Sequence, residues 1–318
     1  MAILKLDNVT THYSTLRGWV RAAENVSFEI EKGEAMGLVG ESGCGKTTVA
    51  LSILKILPPG AKIRKGKILF DGTDLVPLTG SEMRKVRWKG VSIVFQGAMN
   101  AMNPVFRVGD QIIEAIRLHE PEVSKSDALK RTEALLEMVG VDSSRVSNYP
   151  HEFSGGMRQR ALIAMALACN PKLLIADEPG TALDVIVQAQ VLGLMRDLKE
   201  KLGLSMMMIS HDLSIVAEVC EKVAIMYAGH VVEYGDVRSI FEEPLHPYTQ
   251  GLIGAFPSIK GDRKKLTSIP GQPPDLLHPP VGCRFNPRCP FAMDICKVED
   301  PALEKQGSKE HYVACHLY

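Results

Sequence analysis

Short apolar segments that end at polar residues recur along the first 245 residues. They lie at 35–39, 91–95, 172–177 and 205–209. Segments this short and this apolar are typical of strands buried on both faces of a parallel sheet. Between them, apolar residues recur with helical spacing at 49–57, 111–118 and 128–139. The alternation of buried strands with helices predicts an α/β fold.

The proline content of the chain rises sharply near residue 245. Eight of the 19 prolines precede residue 244, and eleven lie between Pro244 and Pro301. Because proline interrupts helices and strands, we predict an α/β core at 1–245, with a helical subdomain at about 97–170, and a loop-rich extension at 246–318. The extension has few apolar residues, so we expect it to fold around a staple of its own, apart from the core.

A glycine-rich loop follows the first predicted strand. Its sequence, Gly-Glu-Ser-Gly-Cys-Gly-Lys-Thr-Thr at 40–48, fits the pattern of a phosphate-binding loop before a helix. Glycines let backbone N–H groups surround phosphates at the positive end of a helix. Lys46 is predicted to reach the β- and γ-phosphates and Thr47 to ligate Mg²⁺. The predicted nucleotide-binding residues of the loop are Gly40, Ser42, Gly43, Cys44, Gly45, Lys46, Thr47 and Thr48.

Polar residues at the ends of three other strands are candidates for catalysis. Asp177 and Glu178 end one strand, Gln96 ends another and His211 follows a third. Ligands of doubly wound folds bind at the carboxyl ends of strands, so we expect these side chains at one sheet edge. Asp177 is predicted to hold Mg²⁺ and Glu178 to polarise the water that attacks the γ-phosphorus.

A second candidate anion site lies within the helical stretch. Ser154 is predicted to cap a helix that runs to about residue 169, and Gly155 and Gly156 leave backbone N–H groups open at its start.

Charge and hydropathy exclude some classes of partner. Lys and Arg number 37 and Asp and Glu number 37, so the chain lacks the basic footprint of a nucleic-acid-binding protein. Its longest uncharged apolar stretch, 161–169, is far shorter than the roughly 18 residues of a membrane span. Lys5 and Asp7 stand where a signal peptide would be apolar. We therefore expect a cytosolic chain that does not cross the bilayer.

Together these motifs resemble the nucleotide-binding subunit of an ABC transporter. The residues concerned are 40–47, Gln96, the Ser-Gly-Gly-Met-Arg-Gln segment at 154–159, 173–178, 182–184 and His211. The resemblance implies an ATPase that forms a head-to-tail dimer, with ATP between each phosphate loop and the partner's Ser154, Gly155 and Gly156.

The resemblance also implies roles for single residues. Tyr13 would stack on adenine, Gln96 would ligate Mg²⁺ together with Thr47 and Asp177, and His211 would hold the γ-phosphate. Asp184 would pack across the dimer. Gly180 departs from the family pattern, which has a hydroxyl residue there, and this departure is expected to loosen the segment that positions Asp184.

The extension resembles that of the oligopeptide and dipeptide importer ATPases. Its segments are 243–251, 269–274 and 282–290. This implies an ATP-hydrolysing subunit, peripheral at the cytoplasmic face of the membrane, that powers import of peptides or similar solutes. Its implied partners are a second ATP-binding subunit in a homo- or heterodimer, two membrane permeases and, through them, an extracellular substrate-binding protein. The alternative is a non-transport ABC ATPase with an iron–sulfur centre, although such proteins usually carry two cassettes or a long coiled coil.

Four of the seven cysteines lie in the extension. Cys283, Cys289, Cys296 and Cys315 are separated by 5, 6 and 18 residues. Structural zinc sites usually use tight Cys pairs, whereas a 4Fe-4S cluster needs four more widely spread thiolates. The spacing favours the cluster, and zinc, disulfides or free thiols stay open. The predicted fold is thus α/β, a P-loop core with a mainly parallel sheet, an antiparallel β subdomain, an inserted helical subdomain and a loop-rich, metal-stapled C-terminal extension.

Overall fold

The computed structural model of the chain describes residues 1–97, 101–181, 183–255, 269–308 and 310–318. The strands in these ranges are β1 (Ala2–Thr15), β2 (Gly18–Glu31), β3 (Ala35–Val39), β4 (Ala61–Phe70), β5 (Thr73–Asp74), β6 (Val91–Val94), β7 (Leu173–Asp177), β8 (Ser205–Ser210), β9 (Lys222–Tyr227), β10 (His230–Asp236), β11 (Glu304–Lys305) and β12 (His311–Val313). The helices are α1 (Lys46–Leu54), α2 (Gly80–Val86), α3 (Val108–His119), α4 (Lys125–Met138), α5 (Gly155–Ala166), α6 (Val185–Leu202), α7 (Leu213–Val219), α8 (Val237–Glu242) and α9 (Pro247–Gly254).

These elements form two compact units. The first, here called the helical unit, comprises Ile30–Ala35 and Pro77–Met208 together with Met1. The second, the phosphate-loop unit, comprises Ala2–Glu29, Met36–Val76 and Ile209–Tyr318. The loop at 40–45 therefore belongs to the same unit as the whole described part of the C-terminal extension.

Parallel strands and the four long helices α3 to α6 make up most of the described part of the helical unit. β6 pairs in parallel with β7, from Val91 opposite Leu173 to Val94 opposite Ala176, and β8 is the other neighbour of β7. All five residues of β7 are buried, as its apolar sequence predicts. The predicted helices at 111–118 and 128–139 are α3 and α4, and each begins three residues earlier than its apolar repeat. At α4 the reason is a cap, because Ser124 Oγ accepts from the N–H of Asp127 at 3.1 Å.

Two sets of strands form the phosphate-loop unit. One is an antiparallel sheet in the order β2-β1-β4-β5. In the other, β3 is parallel to β9, β10 is antiparallel to β9, and β12 and then β11 extend the sheet beyond β10. The mixed parallel and antiparallel α/β architecture agrees with the predicted fold class.

The extension is less irregular than its proline content predicts. It contains α9, whose first residue is Pro247 and whose cap is His246, with Nδ1 accepting from the N–H of Tyr248 at 3.0 Å. Proline is tolerated at the first position of a helix, where its missing N–H has no intrahelical partner to lose. Tyr248 packs against Tyr227 and Phe285, with ring centroids 4.6 and 5.5 Å away, and all three side chains are buried.

Several predicted boundaries are shifted by local backbone conformation. α1 runs from Lys46 to Leu54, not over 49–57, because Gly45 at φ 108° begins it and Lys55 at φ 49° ends it before Pro58. β6 ends at Val94, one residue before the predicted end, and β8 continues one residue further, to Ser210. α5 ends at Ala166 rather than near residue 169.

Candidate functional site

The phosphate loop lies between β3 and α1, and two of its glycines have no room for a side chain. A Cβ on Gly40 would lie 2.0 Å from the carbonyl oxygen of Met226, and one on Gly45 would lie 2.0 Å from that of Ala22. Both obstacles are backbone atoms, which cannot move aside as a flexible side chain could. Gly45 also has a φ of 108°, which side chains rarely adopt. Gly40 and Gly45, two of the glycines predicted from the motif, are therefore required by the fold of the loop itself.

Lys46 is buried against the loop that it follows. Its Nζ donates to the carbonyl oxygens of Gly40 at 2.7 Å and Glu41 at 3.1 Å, and the residue is 5% exposed. The lysine charge is thus compensated by backbone carbonyl dipoles. Thr47, the next residue, is exposed, and Thr48 is buried.

Tyr13, the predicted adenine-binding residue, contacts the helix that carries the loop. Its hydroxyl lies 3.0 Å from Thr48 Oγ1, and the side chain is partly exposed on β1. Cys44 is buried within the loop, and burial raises the pKa of its thiol. This cysteine is therefore a protonated packing residue at neutral pH, and its backbone is the part suited to phosphate.

Two of the predicted catalytic residues meet in the helical unit. Gln96, just beyond β6, donates through Nε2 to Glu178 Oε2 at 2.9 Å. Thr181 Oγ1 donates to the same carboxylate oxygen at 2.8 Å. Glu178 has a φ of 48°, in the left-handed region, so the chain turns sharply there after β7. The preceding Asp177 is buried at the end of β7. This hydrogen bond places Gln96 beside the acidic end of β7, and the roles assigned to these residues stay predictions.

His211 lies in the phosphate-loop unit, directly after β8, with its side chain exposed. The next residue, Asp212, caps α7 by accepting from the N–H of Ser214 at 2.8 Å. A strand end followed at once by a capped helix fixes the backbone on both sides of His211.

The Ser-Gly-Gly segment and Asp184 are both helix caps in the helical unit. Ser154 Oγ accepts from the N–H of Met157 at 3.3 Å, so α5 starts at Gly155 as predicted. Asp184 accepts from the N–H of Val187 at 2.9 Å and begins α6. Ala182, part of the motif around Asp184, lies outside the described residues. Gly180, the departure from the family pattern, is covered by Gln188, whose Cγ would be 2.7 Å from a Cβ there.

The four cysteines of the extension are free thiols that lie close enough to influence one another. Burial, with smaller contributions from nearby Cys296 and Cys315, raises the pKa of Cys283 to about 12. Burial likewise raises the pKa of Cys289 and of Cys315, and Cys296 acts on both. However, across the described ranges no set of three or more His, Cys, Asp or Glu residues has an arrangement that could hold a metal ion. The predicted metal staple is therefore not supported by the coordinates.

Comparison with known proteins gives matches over nearly the whole chain. Residues 23–181 match the family model "ABC transporter", and residues 232–296 match "Oligopeptide/dipeptide transporter, C-terminal region". The oligopeptide transport ATP-binding protein OppD of Bacillus subtilis (strain 168) is 48% identical over 99% of this chain and 88% of its own. The dipeptide transport ATP-binding protein DppD of the same organism is 46% identical over 99% and 94%. The chain belongs to the ABC transporter family.

Solved structures of ABC proteins agree with this membership. A dimeric ATP-binding cassette in a post-hydrolysis state, bound to ADP and Pi, is 28% identical with a TM-score of 0.67, and the match covers 74% of this chain and 99% of that one. CbiO1 of Clostridium perfringens, part of the ABC transporter complex CbiONQ, is 26% identical with a TM-score of 0.66, covering 76% and 91%.

Membership confirms the predicted function, an ATP-hydrolysing, ATP-binding subunit of an ABC importer in the peptide branch. No finding favours the alternative of a non-transport ATPase with an iron–sulfur centre. Among the residues that the structure describes, no helix is both long and apolar enough to cross a membrane.

The prediction missed three residues of this ABC protein: Thr181, which bonds to Glu178 in the helical unit, and Glu41 and Arg288, which pair in the phosphate-loop unit. Thr181 was overlooked although a hydroxyl residue three positions after Glu178 is a common turn signal. Glu41 and Arg288, which form a bidentate ion pair at 2.8 and 3.1 Å, were missed because nothing in either local segment indicates the other.

Proposed function

We propose that ATP binds at the phosphate loop and that its hydrolysis drives import of peptides, as the names of the relatives OppD and DppD suggest for those proteins. The observation that supports this most directly is the loop itself. Gly40 and Gly45 leave no room for a side chain, and the buried Lys46 donates to two carbonyl oxygens of the loop and contacts Cys44 Sγ weakly. Triphosphate oxygens are better partners for that lysine than carbonyl dipoles are.

In this proposal, the loop binds the phosphates through the backbone N–H groups of residues 42–48, and Lys46 neutralises charge on the β- and γ-phosphates. Tyr13 contacts adenine. The hydrogen bond between the Tyr13 hydroxyl and Thr48 would fix the position of the tyrosine ring relative to the loop. The residue that contacts the base would then keep a constant distance from the residues that bind the phosphates.

Magnesium would be held by Thr47, Gln96 and Asp177. Hydroxyl, amide and carboxylate oxygens form a donor set that suits this hard cation. The bond from Gln96 Nε2 to Glu178 supports the choice, because it leaves the amide oxygen as the atom suited to a cation. The ion would neutralise charge on the β- and γ-phosphates.

Glu178 is proposed to accept the proton of the attacking water. As the water oxygen bonds to the γ-phosphorus, the bond from that phosphorus to the bridging oxygen of ADP breaks. Gln96 and Thr181 both donate to Oε2 of Glu178, which fixes the orientation of the carboxylate before the reaction. His211 would donate to the γ-phosphate.

A second copy or a related ATP-binding subunit would complete each site. Ser154, Gly155 and Gly156 would offer the start of α5 to the partner's γ-phosphate, and Asp184 would lie at the same interface. The dimeric cassette bound to ADP and Pi supports this arrangement by similarity. We also propose the chain to be peripheral at the cytoplasmic face of the membrane, bound to two permeases that receive solute from an extracellular substrate-binding protein. The division at about residue 245 and the helical subdomain at about 97–170 likewise remain proposals.

A 4Fe-4S cluster bound by Cys283, Cys289, Cys296 and Cys315 is the proposed cofactor of the extension. The support is chemical: the four cysteines influence one another's pKa, and none of them forms a disulfide. Their arrangement in the described residues does not itself form a metal site, so binding of the cluster would have to draw the four thiols closer together. The cluster would supply charge compensation for four thiolates, since burial otherwise keeps Cys283 protonated at neutral pH.

Replacing Glu178 with glutamine tests the proposed hydrolysis. Glutamine still accepts a hydrogen bond from Thr181 through its oxygen, but it cannot take a proton. We expect ATP binding to persist while turnover falls roughly 10²- to 10⁴-fold. The control is Glu114→Gln, an exposed carboxylate on α3 of the same unit. Turnover near the wild-type rate in Glu178→Gln would exclude the assignment.

A further inference from the structure

One buried arginine of the C-terminal extension contacts the phosphate loop. Arg288 donates through Nη1 to Glu41 Oε2 at 2.8 Å and through Nη2 to Glu41 Oε1 at 3.1 Å. Glu41 is the second residue of the loop, directly after Gly40. A bidentate pair fixes orientation as well as distance, because two parallel hydrogen bonds prevent rotation of either group.

The main chain of Glu41 is held as firmly as its side chain. Its N–H donates to Tyr248 Oη at 3.0 Å, and its carbonyl oxygen accepts from Lys46 Nζ at 3.1 Å. Tyr248 belongs to α9, so this contact also comes from the extension. A shift of Glu41 would therefore move a residue bonded directly to the phosphate-binding lysine.

Arg288 in turn is fixed by its surroundings within the same unit. Its side chain is 5% exposed. Its Nε donates to the carbonyl oxygen of Pro270 at 2.8 Å, and Nη1 lies 3.3 Å from Tyr227 Oη. The guanidinium also stands over the Tyr227 ring, 5.7 Å from its centroid. The arginine cannot follow a displaced Glu41 without breaking these bonds.

The cysteine-bearing turn sets the position of Arg288. Asn286–Arg288 forms a short 3-10 turn in which the N–H of Arg288 donates to Phe285 O at 2.9 Å. Cys283 and Cys289 flank this turn, and Phe285 packs edge-on against Tyr227 with centroids 5.1 Å apart. The guanidinium of Arg288 can therefore reach Glu41 only when this turn is folded.

We propose that Arg288 is a positioning residue for ATP binding. Through its pair with Glu41, the C-terminal extension holds the phosphate loop in the shape that receives the β- and γ-phosphates. The inference rests on the proposed function, since it takes the loop as the nucleotide site. By linkage, nucleotide binding and the order of the cysteine-bearing turn stabilise each other.

The experiment measures binding of a fluorescent ATP analogue to the full-length chain carrying Arg288→Met, Arg288→Lys or Glu41→Gln. The matched control is Arg284→Met. Arg284 lies in the same extension, is also 5% exposed and also forms a buried ion pair, but its carboxylate partner is Glu24 on β2. Thermal unfolding of every variant is recorded without nucleotide, so that loss of stability and loss of affinity are compared directly.

We expect Arg288→Met to raise the Kd about tenfold or more, because misplaced binding groups lose affinity steeply with distance. Arg288→Lys keeps the charge without the fork, so its Kd should be intermediate. Arg284→Met should raise the Kd by less than about twofold even if it lowers the unfolding temperature equally. In steady state, Arg288→Met should raise KM for ATP more than it lowers kcat, whereas a smaller folded fraction would lower kcat alone.

A Kd for Arg288→Met within about twofold of wild type, or an equal rise in Arg284→Met, would overturn the proposal. If Arg288→Met does not fold, Glu41→Gln decides by the same criterion, because it removes one charge and leaves every residue of the extension intact. Lys46→Ala separates this outcome from failure of the proposed function. If Lys46→Ala binds the analogue like wild type, the loop is not the nucleotide site and the proposed function is wrong. If Lys46→Ala fails to bind the analogue while Arg288→Met binds it normally, the loop is the nucleotide site and only the positioning role of Arg288 is wrong.

Discussion

Replacing Gly156 with alanine should disturb packing inside the chain as well as any contact across a dimer. Gly156 is the second residue of α5, and a Cβ there would lie 2.6 Å from Cγ1 of Val187 on α6. Ordinary contact begins at 3.4 Å, so the two groups must separate by about 0.8 Å. Both helices belong to the helical unit, so the strain arises without any partner.

The displacement also reaches the start of α6. The N–H of Val187 donates to the Asp184 carboxylate, which caps that helix. Overpacking costs about 1–3 kcal/mol, and a lost cap costs about 1 kcal/mol more. For a chain of 318 residues that unfolds as one unit, each kcal/mol lowers the unfolding temperature by about 1.5 °C.

The assay compares wild type, Gly156→Ala, Val187→Ala and the double variant by thermal unfolding and by ATPase rate over a range of protein concentrations. We expect the double variant to be as stable as Val187→Ala, because the shorter side chain makes room for the new methyl group. Wild-type activity per chain should rise with concentration as dimers form. If Gly156 also contributes to the partner's site, the double variant stays slow at every concentration.

Two results would refute this reasoning. An unfolding temperature of Gly156→Ala equal to that of wild type would show that the steric argument is wrong. Full recovery of activity in the double variant would show that Gly156 is required only for packing between α5 and α6, with no role in the partner's site.

Two further predictions concern the extension. Protein purified without oxygen should contain about four irons and four sulfides per chain and lose them in Cys289→Ser; stoichiometric zinc without acid-labile sulfide would contradict the cluster. Burial lowers the pKa of His246 from its ordinary value near 6.5 to about 3. Between pH 6.5 and pH 3 the histidine is therefore protonated in the unfolded chain but neutral in the folded one, so the free energy of unfolding falls as the pH falls. From pH 7 to 5, wild type should lose about 2 kcal/mol more unfolding free energy than His246→Asn, which keeps a capping oxygen; equal losses in denaturant titrations would exclude His246 as the cause.

The phosphate-binding parts of the protein could be predicted because their signals are local. A buried strand, a glycine loop and a helix start occupy consecutive positions, so β3, the loop and α1 follow from one short stretch. Ser154 and Asp177 were predictable for the same reason, one from capping chemistry and the other from its place at the end of an apolar run. The predicted end of α1 was wrong, because the backbone of Lys55 adopts the left-handed region and ends the helix at Leu54 instead of residue 57.

The extension was harder to predict because its contacts are distant in sequence. Its prolines indicate loops, yet Pro247 begins a helix, which composition alone does not reveal. We expected the extension to fold apart from the nucleotide core, but its residues Arg288 and Tyr248 bond directly to Glu41 of the phosphate loop. Arg288 and Glu41 are 247 residues apart, and both belong to the phosphate-loop unit. Long-range pairs between charged side chains leave no periodic pattern that a single sequence could show.

β12 pairs with the side of β10 that would otherwise be an exposed sheet edge, and β11 pairs with β12. An exposed edge can pair with strands of other chains. β12 occupies the open side of β10, and the outermost strand, β11, has only two residues, both charged and exposed. A short charged rim discourages further strands from adding to the sheet. A chain truncated before β12 would expose the backbone of β10 and leave the buried Glu233 without its bond to His311. Such a chain would be prone to edge-to-edge aggregation even with its phosphate loop intact, so an affinity tag is better attached beyond residue 318 than in place of the final strand.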